Sequence, residues 1–522
     1  MEGEHDFPFA FHPSTVPPFH PPILPYLTMS ENPESPASYT TITIPEPTGV
    51  YTEPWSWVKI KKMLGFFGPA ALVASMAVGA GETILVTGAG AWAEYGLLWL
   101  ILLSVLVKGI FVTYLLGRCT AVSGQSIGRL LVKLPGPRGW FILSLLTVEL
   151  VGLSLALTAV AKPCGNLVVY IMSDALPVGA SEVMWENMVT TVFLGLALGL
   201  SLLTSYDFLE KQQIIICGIL VFGTVLATII VWPSVTGILF GTFSVGNFPT
   251  APEWAPPAVK KDYFLNLFTV FGYVGGTMSA YLAYASWVGL RGWGLTSHPD
   301  VERVNQENGT STISYLKDDP VEAQRMRILL SPLKWDVVMG AIVLFVVTAA
   351  FMIAGAVVLY PSQMILPGNA WDLLTKQSSI WAQIHGALVP VYYVAILAAL
   401  WGTLATIPEA VTRVTHEFLS AVWPRFASLP YRGLQTIIVI WFFVSSCLWI
   451  WSDISFDLIT QIVALLMTNL GVGLICLAAI YLNFKLPPAY RTRPIMLIGS
   501  IMATIILLAA FFGSALGLLQ KF

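Results

Sequence analysis

The sequence predicts an all-α, polytopic membrane protein. Of its 522 residues, 56% are hydrophobic and only 11% are charged, whereas about a quarter of the residues of a soluble domain are charged. The mean hydropathy is +0.76. Apolar runs of about 20 residues, the length that a helix needs to cross the hydrocarbon core, recur along the chain. We therefore expect a bundle of transmembrane helices embedded in the lipid bilayer.

The composition also excludes several other classes of protein. A net charge of −3 is too small to indicate a nucleic-acid partner. The five cysteines are scattered and contain no Cys-x-x-Cys pair, so we expect neither a disulfide framework nor a cysteine metal site. The sequence has no Gly-x-x-x-x-Gly-Lys phosphate loop and no recognisable nucleophile–base arrangement. We predict that the protein is not an enzyme and holds no cofactor, although a transported cation is compatible with this composition.

The N-terminal region differs from the rest of the chain. It is rich in Pro, Ser, Thr and Glu and lacks an apolar run, so we predict a disordered tail over residues 1–55 without a cleavable signal peptide. Met29 is also a plausible start, which would make the first 28 residues an upstream extension. Residues 56–522 are the predicted transmembrane domain.

Eleven apolar runs in that domain predict eleven membrane spans. They lie near residues 64–88, 96–117, 140–162, 187–206, 212–232, 263–290, 335–360, 381–407, 433–452, 456–483 and 494–518. The longest polar connection, residues 291–334, separates the sixth span from the seventh.

The distribution of Lys and Arg predicts the orientation of these spans. With the N-terminus in the cytoplasm, the inner segments contain 20 of the 26 basic residues and the outer segments contain five. Cytoplasmic loops of membrane proteins are enriched in Lys and Arg. We therefore expect an integral protein of the cell membrane with a cytoplasmic N-terminus, a cytoplasmic loop 291–334 and, because the number of spans is odd, an external C-terminus.

Glycines interrupt two of the spans at corresponding positions. Gly79 and Gly81 lie in the middle of the first span, and Gly272, Gly275 and Gly276 lie in the middle of the sixth. Glycine-rich membrane helices also arise from close helix packing alone. The separation of five spans, however, is typical of two inverted five-helix repeats whose first helices unwind at the substrate site. We predict a 5+5 inverted repeat followed by an eleventh helix.

Glu82 follows the first pair of glycines. A carboxylate near the bilayer centre costs about 2.5–3.5 kcal/mol on insertion scales, so such a residue usually has a function. Together with the carbonyl groups of an unwound helix, it would suit a cation or a polar amine in transit. The alternative is a packing face in which Glu82 pairs with a neighbouring helix.

Three motifs lie in or directly after the first span, at residues 68–73 (Gly-Pro-Ala-Ala-Leu-Val), 79–82 (Gly-Ala-Gly-Glu) and 91–99 (Ala-Trp-Ala-Glu-Tyr-Gly-Leu-Leu-Trp). They resemble motifs of the Nramp transporters, which are divalent-metal carriers with a LeuT-like fold. Further matches are residues 118–124, Glu149, Tyr206 with Leu209 and Glu210, and Gln461. The resemblance extends over residues 64–485 and implies a LeuT-like fold and a metal-carrying function.

The residues that bind metal in that family are replaced here. The family motif Asp-Pro-Gly-Asn aligns with residues 79–82, which moves the carboxylate by about one helical turn to Glu82. The family motif Met-Pro-His aligns with Met278, Ser279 and Ala280, so the thioether is kept and the histidine is lost. The Asp-x-x-Glu proton relay of the third span falls on Ala156 and Ala159, which makes family-type proton coupling doubtful.

The resemblance and the residues together predict a substrate site at the two breaks. We expect Gly79, Gly81, Glu82, Gly275 and Met278 to bind the substrate, with Glu82, Met278 and the carbonyls of Gly79 and Gly275 as metal ligands. The Met278 thioether would favour softer metals, unless it serves in core packing. The alternative function is a LeuT-fold carrier of a small organic amine, amino acid or other solute in which the metal site has been lost.

Two further ionisable residues are predicted to lie within the membrane. Lys108 belongs to the second span and Glu149 to the third. Charged side chains within a membrane usually pair with one another. We expect an ion pair between them or, alternatively, a role in coupling transport to an ion.

Overall fold

The fold was analysed in a computed structural model. It describes residues 41–77, 79, 81–173, 181–203, 206–230, 232–255, 257–301, 303, 313, 315–363 and 373–521. The helices of the N-terminal half are α1 (Trp57–Leu64), α2 (Pro69–Ala77), α3 (Val86–Ala93), α4 (Leu98–Ser104), α5 (Thr113–Ser123), α6 (Ile127–Leu131), α7 (Trp140–Ile171), α8 (Glu182–Leu203), α9 (Tyr206–Ile230), α10 (Val235–Phe243), α11 (Pro257–Lys261), α12 (Tyr263–Tyr273) and α13 (Met278–Leu290).

The C-terminal half is also helical. Its helices are α14 (Pro320–Leu329), α15 (Ser331–Ala354), α16 (Leu373–Ile384), α17 (Leu388–Val422), α18 (Tyr431–Ile450), α19 (Phe456–Val463), α20 (Gly471–Lys485) and α21 (Pro494–Leu519). Among the described residues, four π-helical segments lie within the spans, at Gly81–Leu85, Val105–Val112, Gly355–Leu359 and Ala464–Leu470. The same part of the chain contains short 3₁₀ helices at Gly49–Tyr51, Pro424–Ser428 and Pro488–Tyr490.

Nine helices of the described chain are long and apolar enough to cross a membrane without interruption. They coincide with the predicted spans two to five and seven to eleven. The two remaining spans, the first and the sixth, are each divided into two shorter helices, α2 and α3 in one and α12 and α13 in the other. The structure thereby confirms the fold class and the position of both interruptions.

The first interruption lies at the predicted glycines. Helix α2 ends at Ala77, and the Gly79 amide donates to the Ala77 carbonyl at 2.7 Å, which is a turn rather than a helical hydrogen bond. A π-helical segment then starts at Gly81 and continues into α3. Because glycine lowers helix propensity by about 1 kcal/mol, two of them weaken the helix where it ends.

The second interruption separates α12 from α13. Helix α12 ends at Tyr273 and α13 begins at Met278. Gly275 between them has a φ of 99°, a conformation that residues with a Cβ rarely adopt. The glycines in this span therefore allow a chain path that an uninterrupted helix could not follow.

Both interrupted spans lie inside the bundle, whereas other helices surround them. All nine residues of α2 are buried, as are residues 278–288 of α13. Helix α2 packs against α9, α13, α15 and α17. On the periphery, helices α9 and α21 expose large apolar side chains, among them Ile215, Phe222, Ile498 and Phe512. Apolar outer faces of this kind are expected of helices in contact with lipid.

The described part of the predicted disordered tail is ordered. Ile42 and Ile44 are buried, and the Ile42 amide donates to the Tyr315 carbonyl at 2.9 Å in a parallel bridge between Ile42 and Leu316. Two alternate isoleucines of residues 41–55 thus find a partner in the loop between the sixth and seventh spans, while the disordered tail over residues 1–55 stays a prediction. Residues 1–40 lie outside the described residues.

Candidate transport site

A cavity of about 50 Å³ lies between the two interruptions. Gly79 and Gly81 form its wall on one side, and Gly275, Gly276 and Thr277 form it on the other. The broken helices α2, α12 and α13 add Met76, Ala77, Tyr273 and Ala280 to the lining. The surrounding helices contribute Leu153, Ala156, Val160, Thr403, Ile407, Val463 and Thr468. The two broken helices thus meet at one cavity, as the inverted-repeat prediction requires.

The polar groups around this cavity are backbone and hydroxyl groups. Thr277, Thr403, Thr468 and Tyr273 are the lining residues that carry hydroxyl groups, and the Tyr273 hydroxyl is buried without a hydrogen-bond partner among the described residues. Since a single water needs about 10–15 Å³ of such space, the cavity has room for a few waters or for one ion that keeps part of its hydration shell.

Glu82 lies directly behind the glycine wall of the cavity. Its side chain is fully buried. One carboxylate oxygen accepts from the Gly79 amide at 3.3 Å and the other accepts from the Gly275 amide at 3.0 Å. A single carboxylate therefore connects the two broken spans, and it lies next to the cavity without being one of its lining residues. We had expected it to face the cavity directly.

Met278 is not among the residues that line the main cavity. It is fully buried at the start of α13, and a Cβ atom placed on Gly471 would lie 2.6 Å from its sulfur. It lines a second, smaller cavity of about 10 Å³ together with Glu149 and Ser279. The structure therefore brings Gly79, Gly81 and Gly275 together around the main cavity but not Met278, which packs against the tenth span.

The ion pair expected between Lys108 and Glu149 is not formed. The Lys108 ammonium donates to the carbonyls of Phe271 and Gly272 at 2.8 and 2.7 Å. Both carboxylate oxygens of Glu149 are buried without a hydrogen-bond partner among the described residues, although Ser279 lies beside them. The two charged side chains lie at different sites: Lys108 faces the end of α12, whereas Glu149 faces the start of α13.

Two hydroxyl groups at the second break were missed by the sequence analysis. Ser104 donates to the carbonyls of Phe271 and Val274, both at 2.8 Å. The Tyr281 hydroxyl accepts from the Gly276 amide at 3.0 Å. Ser104 precedes Lys108 by four residues, so helical spacing alone could have placed both side chains on one face. Nothing in the sequence indicates the role of Tyr281.

The described residues contain no group of three or more His, Cys, Asp or Glu side chains that could hold a metal ion. A metal in the main cavity would therefore depend on backbone carbonyls, threonine hydroxyls and water, with the Glu82 charge close behind. Oxygen ligands of this kind suit divalent cations such as Mg²⁺ and Mn²⁺.

Two broken helices that meet at a cavity in a membrane bundle define a secondary transporter with a LeuT-like fold. The comparison with protein families is more specific. The Nramp family model, described as natural resistance-associated macrophage protein-like, matches residues 70–513. The chain belongs to this family.

The solved structures that resemble the chain include several of one transporter. Two mutants of the manganese transporter of Eremococcus coleocola each have a TM-score of 0.55 and 13% identity, with coverage of 91% of this chain and 89% and 88% of theirs. The same transporter in complex with an aromatic bis-isothiourea substituted compound has a TM-score of 0.51, 14% identity and coverage of 88% and 87%. At such low identity the likeness shows the fold. A sequence comparison with curated proteins finds no match.

Proposed function

We propose that the protein carries a divalent metal cation across the membrane by alternating access. The observation that carries this proposal is the position of the Glu82 carboxylate, which bridges the two broken spans beside a cavity of ionic dimensions. Membership of the Nramp family supports it. The similar structures are of a manganese transporter, which makes Mn²⁺ the first cation to test.

The glycine wall allows Glu82 to act on a cation in the cavity. Its oxygens lie 3.3 and 3.0 Å from the amide nitrogens of Gly79 and Gly275, and both glycines line the cavity. No side chain of these two residues separates the carboxylate from the bound ion. Because electrostatic attraction is much stronger in a buried site than in water, this charge would offset part of the hydration that the cation loses.

The same contacts suggest how binding is linked to movement. Glu82 belongs to the first span but holds the Gly275 amide of the sixth. A displacement of either broken span therefore alters the position of the carboxylate relative to the cavity. In the alternating-access cycle that we propose, both spans move against the surrounding helices, and the cation is released when the bridge through Glu82 is lost.

One observation favours the second candidate, a carrier of a small amine or other solute. Much of the cavity wall is apolar, with Leu153, Ala156, Val160, Ile407 and Val463 among the lining residues. Apolar walls with a few polar groups are typical of sites for small organic molecules. The cavity in this conformation is too small for most amino acids, so methylamine is a suitable representative of this class.

We further propose that the protein resides in the cell membrane with its N-terminus in the cytoplasm. The asymmetric distribution of basic residues supports this orientation, with 20 in predicted inner segments against five in outer segments. The C-terminus, which follows α21, would then be outside.

An uptake assay with purified protein in liposomes distinguishes the two candidates. We expect uptake of Mn²⁺, a loss of about tenfold or more in Glu82→Gln because a buried cation loses the counter-charge of this carboxylate beside the cavity, and unchanged uptake in Glu182→Gln. Glu182 is the matched control because it is an exposed carboxylate at the start of α8. Full Mn²⁺ uptake by Glu82→Gln would contradict the proposed site, and uptake of methylamine without Mn²⁺ would establish the second candidate.

A further inference from the structure

Lys108 is a buried cation that donates hydrogen bonds to the C-terminal end of α12. Its side chain is fully buried, and its ammonium donates to the last carbonyls of α12, those of Phe271 and Gly272. The ammonium also lies 5.3 Å from the centroid of the Phe271 ring. Three partners of this kind, two carbonyl oxygens and one aromatic face, are those that a small monovalent cation would seek.

The end of α12 is a natural place for a cation. The last carbonyls of a helix have no partners within the helix, and the negative end of the helix dipole lies there. In transporters with broken helices, such unwound carbonyls and half-helix ends coordinate coupling ions such as Na⁺. Here Ser104 donates to the carbonyls of Phe271 and Val274, so that Ser104 and Lys108 together satisfy this end.

The local backbone gives the ammonium access to this position. Lys108 lies in the middle of the π-helical segment Val105–Val112, and the carbonyl of Lys108 accepts from the Thr113 hydroxyl at 2.8 Å. Gly275 leaves room for the side chain, because a Cβ placed there would lie 3.4 Å from Cε and 3.7 Å from Nζ of Lys108. A π-helical bulge within a transmembrane helix is a frequent feature of functional sites.

We infer that the Lys108 ammonium is a tethered cation that permanently fills the monovalent-cation subsite at the carbonyl end of α12. The break in the sixth span is then stabilised in every state of the carrier, and transport requires no soluble Na⁺ or K⁺ at this position. The inference deepens the proposed function, and its transport measurements rest on that function. Occupancy of the subsite, in contrast, can be measured without a transported substrate.

The alternative is that Lys108 acts merely as a hydrogen-bond donor. The charge and the hydrogen bonds can be separated by substitution. Lys108→Gln retains donors without the charge, whereas Lys108→Ala removes both and leaves a space for a small cation. Ser104→Ala removes hydrogen bonds to the same helix end and retains the ammonium, so it is the matched control.

The first measurement is the thermal unfolding temperature in detergent, with methylammonium chloride compared with N-methyl-D-glucamine chloride at equal ionic strength. A ligand that binds only the folded protein raises this temperature. We expect methylammonium to stabilise Lys108→Ala and to have no such effect on the wild type, Lys108→Gln or Ser104→Ala. The same result for Lys108→Ala and Ser104→Ala, or no stabilisation of Lys108→Ala, would overturn the inference.

The second measurement is uptake by the same proteins in liposomes. Wild-type uptake should be unchanged when all Na⁺ and K⁺ are replaced by N-methyl-D-glucamine, and a requirement for either ion would overturn the inference. We expect Lys108→Ala to lose about tenfold in uptake with its charge-assisted hydrogen bonds and to recover with methylammonium. If Lys108→Ala does not fold, two other results test the inference: uptake by the wild type without Na⁺ or K⁺, and the loss of uptake in Lys108→Gln. Uptake by Lys108→Gln at the wild-type rate would show that Lys108 acts only as a hydrogen-bond donor.

The two proposals fail in different ways. If no metal is transported by the wild type, the proposed substrate is wrong, while the additional stabilisation of Lys108→Ala by methylammonium, beyond any stabilisation of the wild type, still reports on the subsite. If Mn²⁺ is transported but only in the presence of Na⁺ or K⁺, the proposed function stands and the tethered cation does not.

Discussion

Single glycines determine how closely the two breaks approach each other. A Cβ atom on Gly81 would lie 2.7 Å from Cβ and 3.0 Å from the carbonyl oxygen of Tyr273, closer than real Cβ atoms approach their neighbours. On Gly79 it would lie no closer than 3.6 Å to any atom of the surroundings, the nearest being a methyl group of Val160. A side chain is therefore excluded by close contacts at Gly81 but not at Gly79, although both glycines line the cavity.

This difference leads to a prediction about stability. Gly81→Ala should destabilise the protein by about 1–3 kcal/mol, the usual cost of overpacking, and lower the thermal unfolding temperature in detergent. Gly79→Ala should lower it much less, because its Cβ meets only ordinary contacts. Equal unfolding temperatures for the two variants would show that the first break does not pack tightly against Tyr273.

Individual side chains at the site could be predicted only in part. Glu82 was identified because a carboxylate between glycines in an apolar span is unusual, and the structure places it at both breaks. The role of Met278 as a metal ligand rested on the family motif, and the side chain instead contacts Gly471. The direction of the Met278 side chain could not be predicted from the sequence, because the first residue after a helix break can point to any of several neighbouring helices.

The ends of the half-helices are satisfied by side chains from other elements. Asp336 of α15 accepts from the Gly68 and Ala70 amides at the start of α2, at 2.9 and 3.0 Å. Lys108 and Ser104 satisfy the end of α12, and Tyr281 and Glu82 bind the amides that precede α13. Breaking a membrane helix therefore requires polar partners, because an unpaired backbone group in the bilayer costs several kcal/mol.

The ordered N-terminal segment leads to a prediction at the scale of an element. Ile42 is buried against the loop that precedes α14, whereas Thr43 is exposed. Ile42→Asp should release this loop, because a buried carboxylate without a partner is costly. We expect faster trypsin cleavage after Lys317 and Arg325, which lie in the same region.

Thr43→Asp is the control for this experiment, since it introduces the same charge on the exposed side of the segment. Its cleavage rate should equal that of the wild type. If Ile42→Asp and Thr43→Asp are cleaved equally slowly, the N-terminal segment does not protect the loop.

At the scale of the whole molecule, an ion pair beside α2 connects several spans at the end of the bundle predicted to face the cytoplasm. Arg291, which follows α13, pairs with Glu210 of α9 at 2.5 Å. The Glu210 carboxylate lies against Gly68, at the start of α2. Three spans are thereby connected at one point, so the movement of α2 during alternating access requires these contacts to change.

Accessibility of a native cysteine can report this movement. Cys217 of α9 is buried, and its thiol contacts the Ala71 carbonyl of α2 at 3.5 Å. We expect Arg291→Gln to increase the rate of maleimide labelling at Cys217, measured on the peptide that contains it, because the loss of the ion pair favours displacement of α2.

Arg303→Gln is the control, since the pair between Arg303 and Asp300 is exposed and joins residues of one short segment. Exposed pairs of this kind contribute about 0–1 kcal/mol. Labelling of Cys217 should not change in this variant. An unchanged rate in Arg291→Gln would show that the ion pair does not hold α2 in place.

The sequence by itself determined the class of protein, the number of spans and the two breaks. These properties depend on the length of apolar runs and on the weak helix propensity of glycine, both of which are local. The distribution of basic residues likewise predicted an orientation without reference to any contact. Local composition did not indicate that Ile42 would find a distant partner at Tyr315.

Only the tertiary structure decided which groups meet at the breaks. Lys108 and Phe271 are 163 residues apart, and Glu82 and Gly275 are 193 residues apart. Such pairs form because each broken helix exposes carbonyls or amides that must find polar partners inside an apolar bundle. The sequence shows which residues could be those partners, but their assignment depends on the direction in which every surrounding helix presents its side chains.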